Sequence, residues 1–386
     1  MRPSYRAQPI GSLKTLALTL GMSESALIAL AGSASRRYTT FEIPKKDGRS
    51  RQVCEPTHEL KVAQKRINRE IFGHVEYPAY LFGGLPERDY VRNARMHASA
   101  ASLIALDVKD FYNNIRADQV QKIFKIFCRF PEPVARILTQ LTTKDSSVPQ
   151  GACTSSHLAN LVFFDTEHRL VREFHQHGLR YSRLLDDITV SSARELSPER
   201  TSKLVHKVKI LLADKHLKLK AKKTRVSSRA NPETLMEVTG LWLNRGAPRV
   251  FRDERHEIRA QLCSLERRYQ LSSSSLEYHE EHNRISGRIS KITYVGHFEA
   301  NAYRARLQRI LPTYDGTEVV RTLRLAKLLC ATPPTQRDSL AYVDKYHQVL
   351  YRLGILARTN RSLATKQRAL VIKCAPPRSK EELLYG

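Results

Sequence analysis

Strand-like and helix-like patterns of hydrophobic and polar residues follow one another through roughly the first 250 residues, and the rest of the chain follows a helical period. An apolar run at residues 101–107 predicts a buried strand that ends in Asp107. Residues 180–192 predict a hairpin with Asp186 and Asp187 at its tip. The pattern therefore places acidic residues at the ends of apolar strands.

Further strands and helices are predicted on both sides of these acids. Residues 38–54 should form two strands around the turn Lys46-Asp47-Gly48, and residues 236–251 should form two short strands. Helices are expected at about 59–72, 118–143, 155–176 and 200–218. Together these elements predict an α/β (α+β) fold in which helices pack on an antiparallel sheet.

The two ends of the chain are expected to be helical. Residues 11–32 have a helical period that breaks at Gly21-Met22-Ser23, which fits either a DNA-reading helix-turn-helix or two helices packed on a larger domain. Basic residues are sparse there, so packing is favoured. Beyond about residue 252 the chain is helical and basic, with a short loop at Ser272–Ser275. Residues 321–386 carry 13 Lys and Arg against four Asp and Glu, which predicts helices with a basic face.

The overall charge points to a polyanionic partner. The 386 residues include 65 Lys and Arg against 38 Asp and Glu, a formal charge of +27. Such an excess favours nucleic acid over a membrane surface, since no stretch approaches the roughly 20 apolar residues of a membrane span. The N-terminus lacks the pattern of a secretory signal, and six scattered cysteines form no CxxC pair. We therefore expect a cytoplasmic protein with reduced thiols and no membrane partner.

The strand-end acids suggest a metal site. A buried carboxylate is costly without a partner, and two such strand ends brought together need a cation. Magnesium suits an all-oxygen cluster, with manganese as a substitute, and two ions about 4 Å apart serve nucleotidyl transfer. Aspartate is also common in turns, and for Asp186 and Asp187 alone that plainer interpretation is favoured.

The order of the surrounding motifs resembles that of bacterial reverse transcriptases from about residue 38 to residue 310. Ala105–Ile115 (ALDVKDFYNNI) is similar to the first palm motif of that family, and Pro149–Asn160 (PQGACTSSHLAN) is similar to its PQGxxTSxxLAN motif. Leu184–Asp187 (LLDD) stands where the family has Tyr-x-Asp-Asp, and Lys223–Arg225 resembles the motif that follows. The resemblance implies a right-hand polymerase with fingers, palm and thumb that copies RNA into DNA.

The resemblance also implies roles for individual residues. Asp107 and Asp186 are expected to be the principal metal ligands, with Asp187 a ligand or close support and the carbonyl of Val108 completing the shell. Tyr112 matches the position of an aromatic gate that would exclude a ribose 2′-hydroxyl, so the substrates should be dNTPs. The other expected contacts with the incoming nucleotide are Gln150, Lys45 or Lys46, Arg51 and Lys223. Lys223 is also expected to neutralise or protonate the pyrophosphate.

Two short signatures narrow the resemblance to retron reverse transcriptases. Asn93–His97 (NARMH) resembles their NAxxH motif, and Val238–Gly240 resembles their VTG triplet. Such a polymerase would copy part of a structured noncoding RNA from an internal 2′-hydroxyl and leave a DNA product. Antiphage defence and an effector or toxin protein are implied in the same way. The expected nucleic-acid contacts are Asn93, His97, Gly151, Leu184, Leu185, Val238, Thr239 and Gly240.

The sequence departs from the family at the primer end of the site. Leu184 and Leu185 replace the usual Tyr and a small residue, and Cys153 and Ser156 replace two prolines. The carboxylates are intact, so we expect retained chemistry with altered primer or template handling. Two alternatives stay open: another defence-associated reverse transcriptase with unusual template or primer use, and an inactive polymerase-like scaffold that binds RNA.

The expected domain order follows the right-hand layout. N-terminal helices and fingers should occupy residues 1–98, the palm 99–250, the thumb 251–320 and a basic helical extension 321–386.

Overall fold

The computed structural model describes residues 1–44, 48, 50–231 and 233–385, apart from the side chains of residues 222 and 385. The chain divides into two compact units, Met1–Pro248 and Arg249–Gly386. The strands, all in the first unit, are β1 (Ser4–Tyr5), β2 (Tyr38–Pro44), β3 (Ser50–Pro56), β4 (Val75–Glu76), β5 (Ser102–Asp107), β6 (Leu179–Leu184), β7 (Asp187–Ser192), β8 (Arg225–Ser228), β9 (Glu237–Val238) and β10 (Leu241–Trp242).

The described residues of the first unit also form ten α-helices around these strands. They are α1 (Leu13–Thr19), α2 (Glu24–Ser33), α3 (His58–Glu70), α4 (Tyr90–Met96), α5 (Phe111–Asn114), α6 (Ala117–Lys122), α7 (Glu132–Thr142), α8 (Ser155–Leu161), α9 (Glu167–Gln176) and α10 (Pro198–Ala213). Helix α10 begins where sequence chemistry predicts: the Ser197 side chain caps its first turn and Pro198 follows. The mixed α+β class predicted from the pattern is confirmed.

A four-stranded antiparallel sheet forms the centre of the first unit, in the order β6-β7-β5-β8. Strand β5 is central, and Leu103, Ile104 and Leu106 are all buried, which explains its nearly continuous apolar run. Strand β8 was not predicted, because Arg225-Val-Ser-Ser228 alternates too weakly to stand out. Strands β6 and β7 form the predicted hairpin, with Leu185 and Asp186 between them.

Two smaller hairpins agree with the sequence pattern. Strands β2 and β3 pair from Tyr38 opposite Pro56 to Pro44 opposite Ser50. Of their predicted turn, Lys46 and Asp47 lie outside the described residues. Strands β9 and β10 form a two-residue ladder within the region where two short strands were expected.

The prediction of two long helices from periodicity is wrong, because each of them is interrupted in the structure. The helix expected at 118–143 splits into α6, a π-helical stretch at Ile123–Phe127 and α7; Arg129 has a φ of +62°, and Pro131 lies just before α7. The helix expected at 155–176 splits into α8 and α9. No Pro or Gly marks this second break, so periodicity alone could not reveal it.

The N-terminal helices belong to the core of the first unit. Leu16, Leu20 and Leu27 are fully buried in the cluster that also holds α7, which favours packing over DNA reading. Within the described residues, no single helix is long and apolar enough to cross a membrane. The stretches Leu13–Thr19 and Glu24–Arg36 reach that length and composition only together, as a pair bent by 88°.

The described part of the second unit consists of helices joined by loops. Its helices are α11 (Arg252–Ser272), α12 (Leu276–Val295), α13 (Ala300–Gln308), α14 (Gly316–Cys330), α15 (Leu340–Leu356), α16 (Arg361–Ile372) and α17 (Lys380–Tyr385). The expected loop at Ser272–Ser275 is confirmed, since α11 ends and α12 begins around it. A separate hydrophobic core in this unit includes Ala326, Leu329, Tyr346 and Leu353. All six cysteines of the chain are free thiols.

Candidate active site

The register of the central sheet brings the three predicted acids together. Asp107 at the end of β5 lies directly opposite Asp187 at the start of β7. The amide of Val108 donates to the Asp186 carbonyl at 3.0 Å, so the strand ends remain joined beyond the ladder. Leu185 has a φ of +59°, a conformation that a leucine rarely adopts. The tip is therefore a tight two-residue turn that presents Asp186 beside Asp107.

Burial and mutual repulsion make this cluster electrostatically demanding. Burial, with further contributions from Asp186 and Asp107, raises the pKa of Asp187 to about 7. Burial also raises the pKa of Asp186, although a backbone hydrogen bond opposes the change. The Lys223 ammonium donates to Oδ2 of Asp107 at 2.6 Å, and this hydrogen bond raises the lysine's pKa. The cluster thus holds more negative charge than its one ion pair neutralises.

The donor set suits a hard divalent cation. Its side-chain donors are carboxylates, which is the chemistry magnesium and manganese prefer. In the part of the chain that the structure describes, no group of three or more His, Cys, Asp or Glu side chains is gathered closely enough to enclose an ion. One oxygen of Asp107 is paired with the Lys223 ammonium in this structure. The role of these acids, and of the buried Val108, as ligands stays a prediction.

Two cavities beside the acids collect most of the residues predicted to bind the nucleotide. One, of about 790 Å³, is lined by Arg51, Tyr112, Gln150, Gly151 and Lys223 among others. The other, of about 130 Å³, is lined by Asp107, Asp186 and Lys220 together with Arg51, Tyr112, Gln150 and Lys223. Lys45 and Lys46 lie outside the described residues. The small cavity thus joins two of the acids to three cations, which can donate charge-assisted hydrogen bonds to phosphate oxygens.

The Pro149–Gly151 segment lies against the β2–β3 hairpin. The amide of Cys54 donates to the Gln150 carbonyl at 2.8 Å. Gly151 has a φ of +109°, and a Cβ there would lie 2.6 Å from Cγ1 of Val53. Only glycine meets both demands. Gly151 is therefore in close contact with strand β3, and its expected contact with nucleic acid stays a prediction.

The NAxxH residues are buried, and this differs from the nucleic-acid contacts expected of them. Asn93 and His97 are both 0% exposed. The two ring nitrogens of His97 lie 2.7 Å from the hydroxyls of Ser191 and Ser182, on neighbouring strands. In this conformation neither side chain reaches a surface that a strand of RNA or DNA could touch. Their placement supports a role in holding α4 against the sheet.

The VTG triplet lies close to the acids. Thr239 and Gly240 have φ values of +47° and +79°, and the Thr239 hydroxyl donates to the Tyr90 carbonyl at 3.0 Å. A groove of about 580 Å³ is lined by Val238, Thr239 and Gly240 together with Asp107, Leu184 and Asp187. Leu184 therefore shares this groove with the VTG triplet and two of the acids.

A buried ion pair below the hairpin tip was missed in the sequence. The guanidinium of Arg183 donates to both carboxylate oxygens of Glu167, at 2.6 and 2.8 Å, and to the carbonyls of Ala159 and Asn160. The Tyr181 hydroxyl donates to the same carboxylate at 2.7 Å. Arg183 shares the buried, alternate positions of β6 with Tyr181, and that alternation is a signal that could have revealed it.

Sequence similarity assigns the chain to a known family. The reverse transcriptase (RNA-dependent DNA polymerase) family matches residues 43–279. The chain is 36% identical to the retron Se72 reverse transcriptase of Salmonella heidelberg (strain 579083-10), over 98% of this chain and all of that protein. It is 31% identical to the retron Ec48 reverse transcriptase of Escherichia coli, over 91% and 89% of the two chains.

Two telomerase structures resemble this chain only weakly. A telomerase of Candida albicans aligns over 87% of this chain and 63% of its own, with a TM-score of 0.41 and 9% identity, too low to support an argument. The family match and the two relatives, with the mixed helix and sheet architecture, are consistent with the expected polymerase fold. The chain belongs to the reverse transcriptase family, whose members are RNA-directed DNA polymerases that generally use divalent metal ions, and within that family it is of the retron type.

Proposed function

We propose that this reverse transcriptase copies a structured noncoding RNA into DNA at the cluster formed by Asp107, Asp186 and Asp187. The observation that carries the proposal is the strand register, which sets Asp107 opposite Asp187 and leaves Asp186 at the adjoining tip. Asp107 and Asp186 would hold the metal, with Asp187 in support and the Val108 carbonyl completing the shell. Magnesium is the proposed ion, because the side-chain donors are carboxylates.

The residues around the acids have distinct proposed tasks. Two bound magnesium ions would activate the primer hydroxyl and stabilise the leaving pyrophosphate. Arg51 and Lys223 orient the triphosphate from the two cavities that they line, with Lys45 or Lys46 expected to help. Tyr112 closes the sugar side against a 2′-hydroxyl, and Gln150 contacts the nucleotide.

The template and biological setting rest on the relatives. Both relatives described above are retron reverse transcriptases, and this supports a cognate noncoding RNA that serves as template and primer. The VTG groove beside Asp187 is the proposed path of the primer strand. Antiphage defence, an effector or toxin partner and a cytoplasmic location are further parts of the proposal, drawn from family and composition alone.

Primer extension on an RNA template tests the assignment of the acids. Wild-type protein should extend a primer with dNTPs and Mg²⁺, and the double variant Asp186→Ala/Asp187→Ala should give no product. Asp118→Ala is a matched control, because it removes an acid from a surface ion pair with Arg116. Equal product from wild type and the double variant would contradict the assignment.

Sequencing the nucleic acid that copurifies with the protein tests the retron part. DNA covalently joined to RNA supports the proposal. DNA without a linked RNA favours a defence-associated reverse transcriptase of another kind. RNA alone favours a scaffold that binds RNA and does not copy it.

A further inference from the structure

A loop at residues 80–84 runs beside the end of β6 and approaches the tip that carries Asp186. The amide of Arg183 donates to the Tyr80 carbonyl at 2.8 Å, and the amide of Phe82 donates to the Arg183 carbonyl at 2.9 Å. These bonds form a short parallel bridge with the β6 edge. The loop is therefore held in register with the β6–β7 hairpin up to two residues before its tip.

At the tip the loop and the hairpin meet through Gly83 and Leu185. A Cβ on Gly83 would overlap the Leu185 side chain and would lie 2.9 Å from the Leu185 amide nitrogen. The φ of Gly83 is not in the left-handed region, so its backbone conformation does not require glycine. The close contact with Leu185 does. The large side chain at position 185, where the family has a small one, is accommodated because residue 83 has none.

The opposite side of the loop is anchored to α8. The Asn160 amide donates to the Gly83 carbonyl at 2.6 Å, a buried hydrogen bond. A Cβ on Gly84 would lie 2.7 Å from Cβ of Ser156, the second position where the chain lacks a family proline. Two consecutive glycines thus contact two departures from the family motifs, Ser156 and Leu185.

The tip needs outside support because Leu185 adopts a left-handed conformation, which costs a leucine free energy. Two contacts hold it there. One is the backbone of Gly83, and the other is the Arg183 guanidinium, which donates to the Leu185 carbonyl at 3.3 Å. Asp186 follows Leu185 directly, so a shift of the turn moves its carboxylate.

We propose that Gly83 is a positioning residue for the polymerase reaction, which acts by holding Leu185 and through it the carboxylate of Asp186. The proposal rests on the proposed role of Asp186 in catalysis. Gly83 touches neither the acids nor the nucleotide cavities. Its contacts with Asn160 on α8 and with Leu185 fix the distance between α8 and the hairpin tip. Leu185 and Gly83 form a complementary pair in which only one member has room for a side chain.

The test is a pair of substitutions measured by steady-state primer extension with saturating Mg²⁺. Gly83→Ala should lower kcat on the order of 100-fold, as displacement of a reacting group by about 1 Å does, with less change in the KM for dNTP. The double variant Gly83→Ala/Leu185→Ala should regain at least about tenfold of that loss, because the smaller residue 185 makes room for the new methyl group. Gly32→Ala is the control, since a Cβ there meets no atom within 4 Å.

Each outcome decides the proposal. Rescue by the second substitution supports it, and so does a Gly83→Ala variant that fails to fold while the double variant folds. Wild-type kcat in Gly83→Ala overturns it, as does a double variant that is no faster than the single one or that also fails to fold. Activity of the wild-type protein in the same assay separates failure of this proposal from failure of the proposed function.

Discussion

The ammonium of Lys223 lies 2.6 Å from Oδ2 of Asp107, so a proposed phosphate ligand pairs with a proposed metal ligand. The Asp107 side chain is 13% exposed and that of Lys223 is 52% exposed. The lysine can therefore swing away while the acid stays in place. We expect that a cation bound to Asp107 would compete with this ion pair and would release the lysine towards the small cavity that both residues line.

Removing the lysine should therefore strengthen metal binding while it slows the reaction. A half-exposed ion pair contributes about 1 kcal/mol at most, so Lys223→Gln should bind Mn²⁺ roughly three- to fivefold more tightly. The affinity can be measured by electron paramagnetic resonance of free Mn²⁺, and primer extension by the same variant should fall. Lys220→Gln is the control for charge alone, because the Lys220 ammonium forms no ion pair with the described acids. Unchanged or weaker Mn²⁺ binding in Lys223→Gln would show that the pair does not compete with metal.

Tyr112 should control the choice between deoxyribo- and ribonucleotides. It lines both cavities beside Arg51 and Gln150, on the helical turn that follows Asp107. Tyr112→Ala should lower the ratio of kcat/KM for dNTP to that for rNTP by at least about tenfold, because the space reserved against a 2′-hydroxyl becomes open. Tyr112→Phe keeps the ring and should keep the ratio. Equal ratios in the alanine variant and the wild type would remove Tyr112 from the gate position.

The buried pair of Arg183 and Glu167 should matter for stability far more than a surface pair on the same helix. Glu167→Gln leaves the fully buried guanidinium without its counter-charge and should cost about 3–5 kcal/mol in the free energy of unfolding. Glu173→Gln breaks the exposed pair with Lys207 and should cost less than about 1 kcal/mol. Urea denaturation followed by tryptophan fluorescence at Trp242, in the same unit, compares the two variants. Similar losses in both would mean that burial adds nothing here.

Local pattern was enough to predict the strands and the turn that carry the acids, whereas the order of the surrounding motifs was needed to favour a metal site over ordinary turn residues. Asp107 ends a continuous apolar run, and Asp186 and Asp187 interrupt an alternating hairpin, so period and turn chemistry both point to one place. The register that sets Asp107 opposite Asp187 follows once β5 and β7 pair. The nearby cavities could be anticipated only through the motif resemblance, because their lining comes from segments far apart in the chain.

The sequence could not predict which side chains are buried by residues far away in the chain. Nothing near His97 reveals that its partners are Ser182 and Ser191, which follow more than 80 residues later. The partner of Glu167 is likewise set by the fold, and the helix break before it has no proline or glycine to mark it. The motif resemblance drew attention to His97, but not to Glu167; whether a side chain faces RNA or the core depends on tertiary packing.

His97 should make the protein sensitive to acid. Burial, helped by the nearby charge of Arg180, lowers its pKa to about 3, whereas in the unfolded chain it is about 6.5. The unfolded state therefore binds a proton that the folded state does not bind, and the free energy of unfolding falls as the pH drops below 6.5. Between pH 7 and pH 5 this one group should cost about 2 kcal/mol in the free energy of unfolding. His97→Gln should lose that much less over the same interval in urea denaturation, even though it starts less stable. The buried His157 also has a lowered pKa, and it contributes equally to both proteins. If the free energy of unfolding changed with pH identically in wild type and variant, His97 would have to bind its proton in the folded state as well.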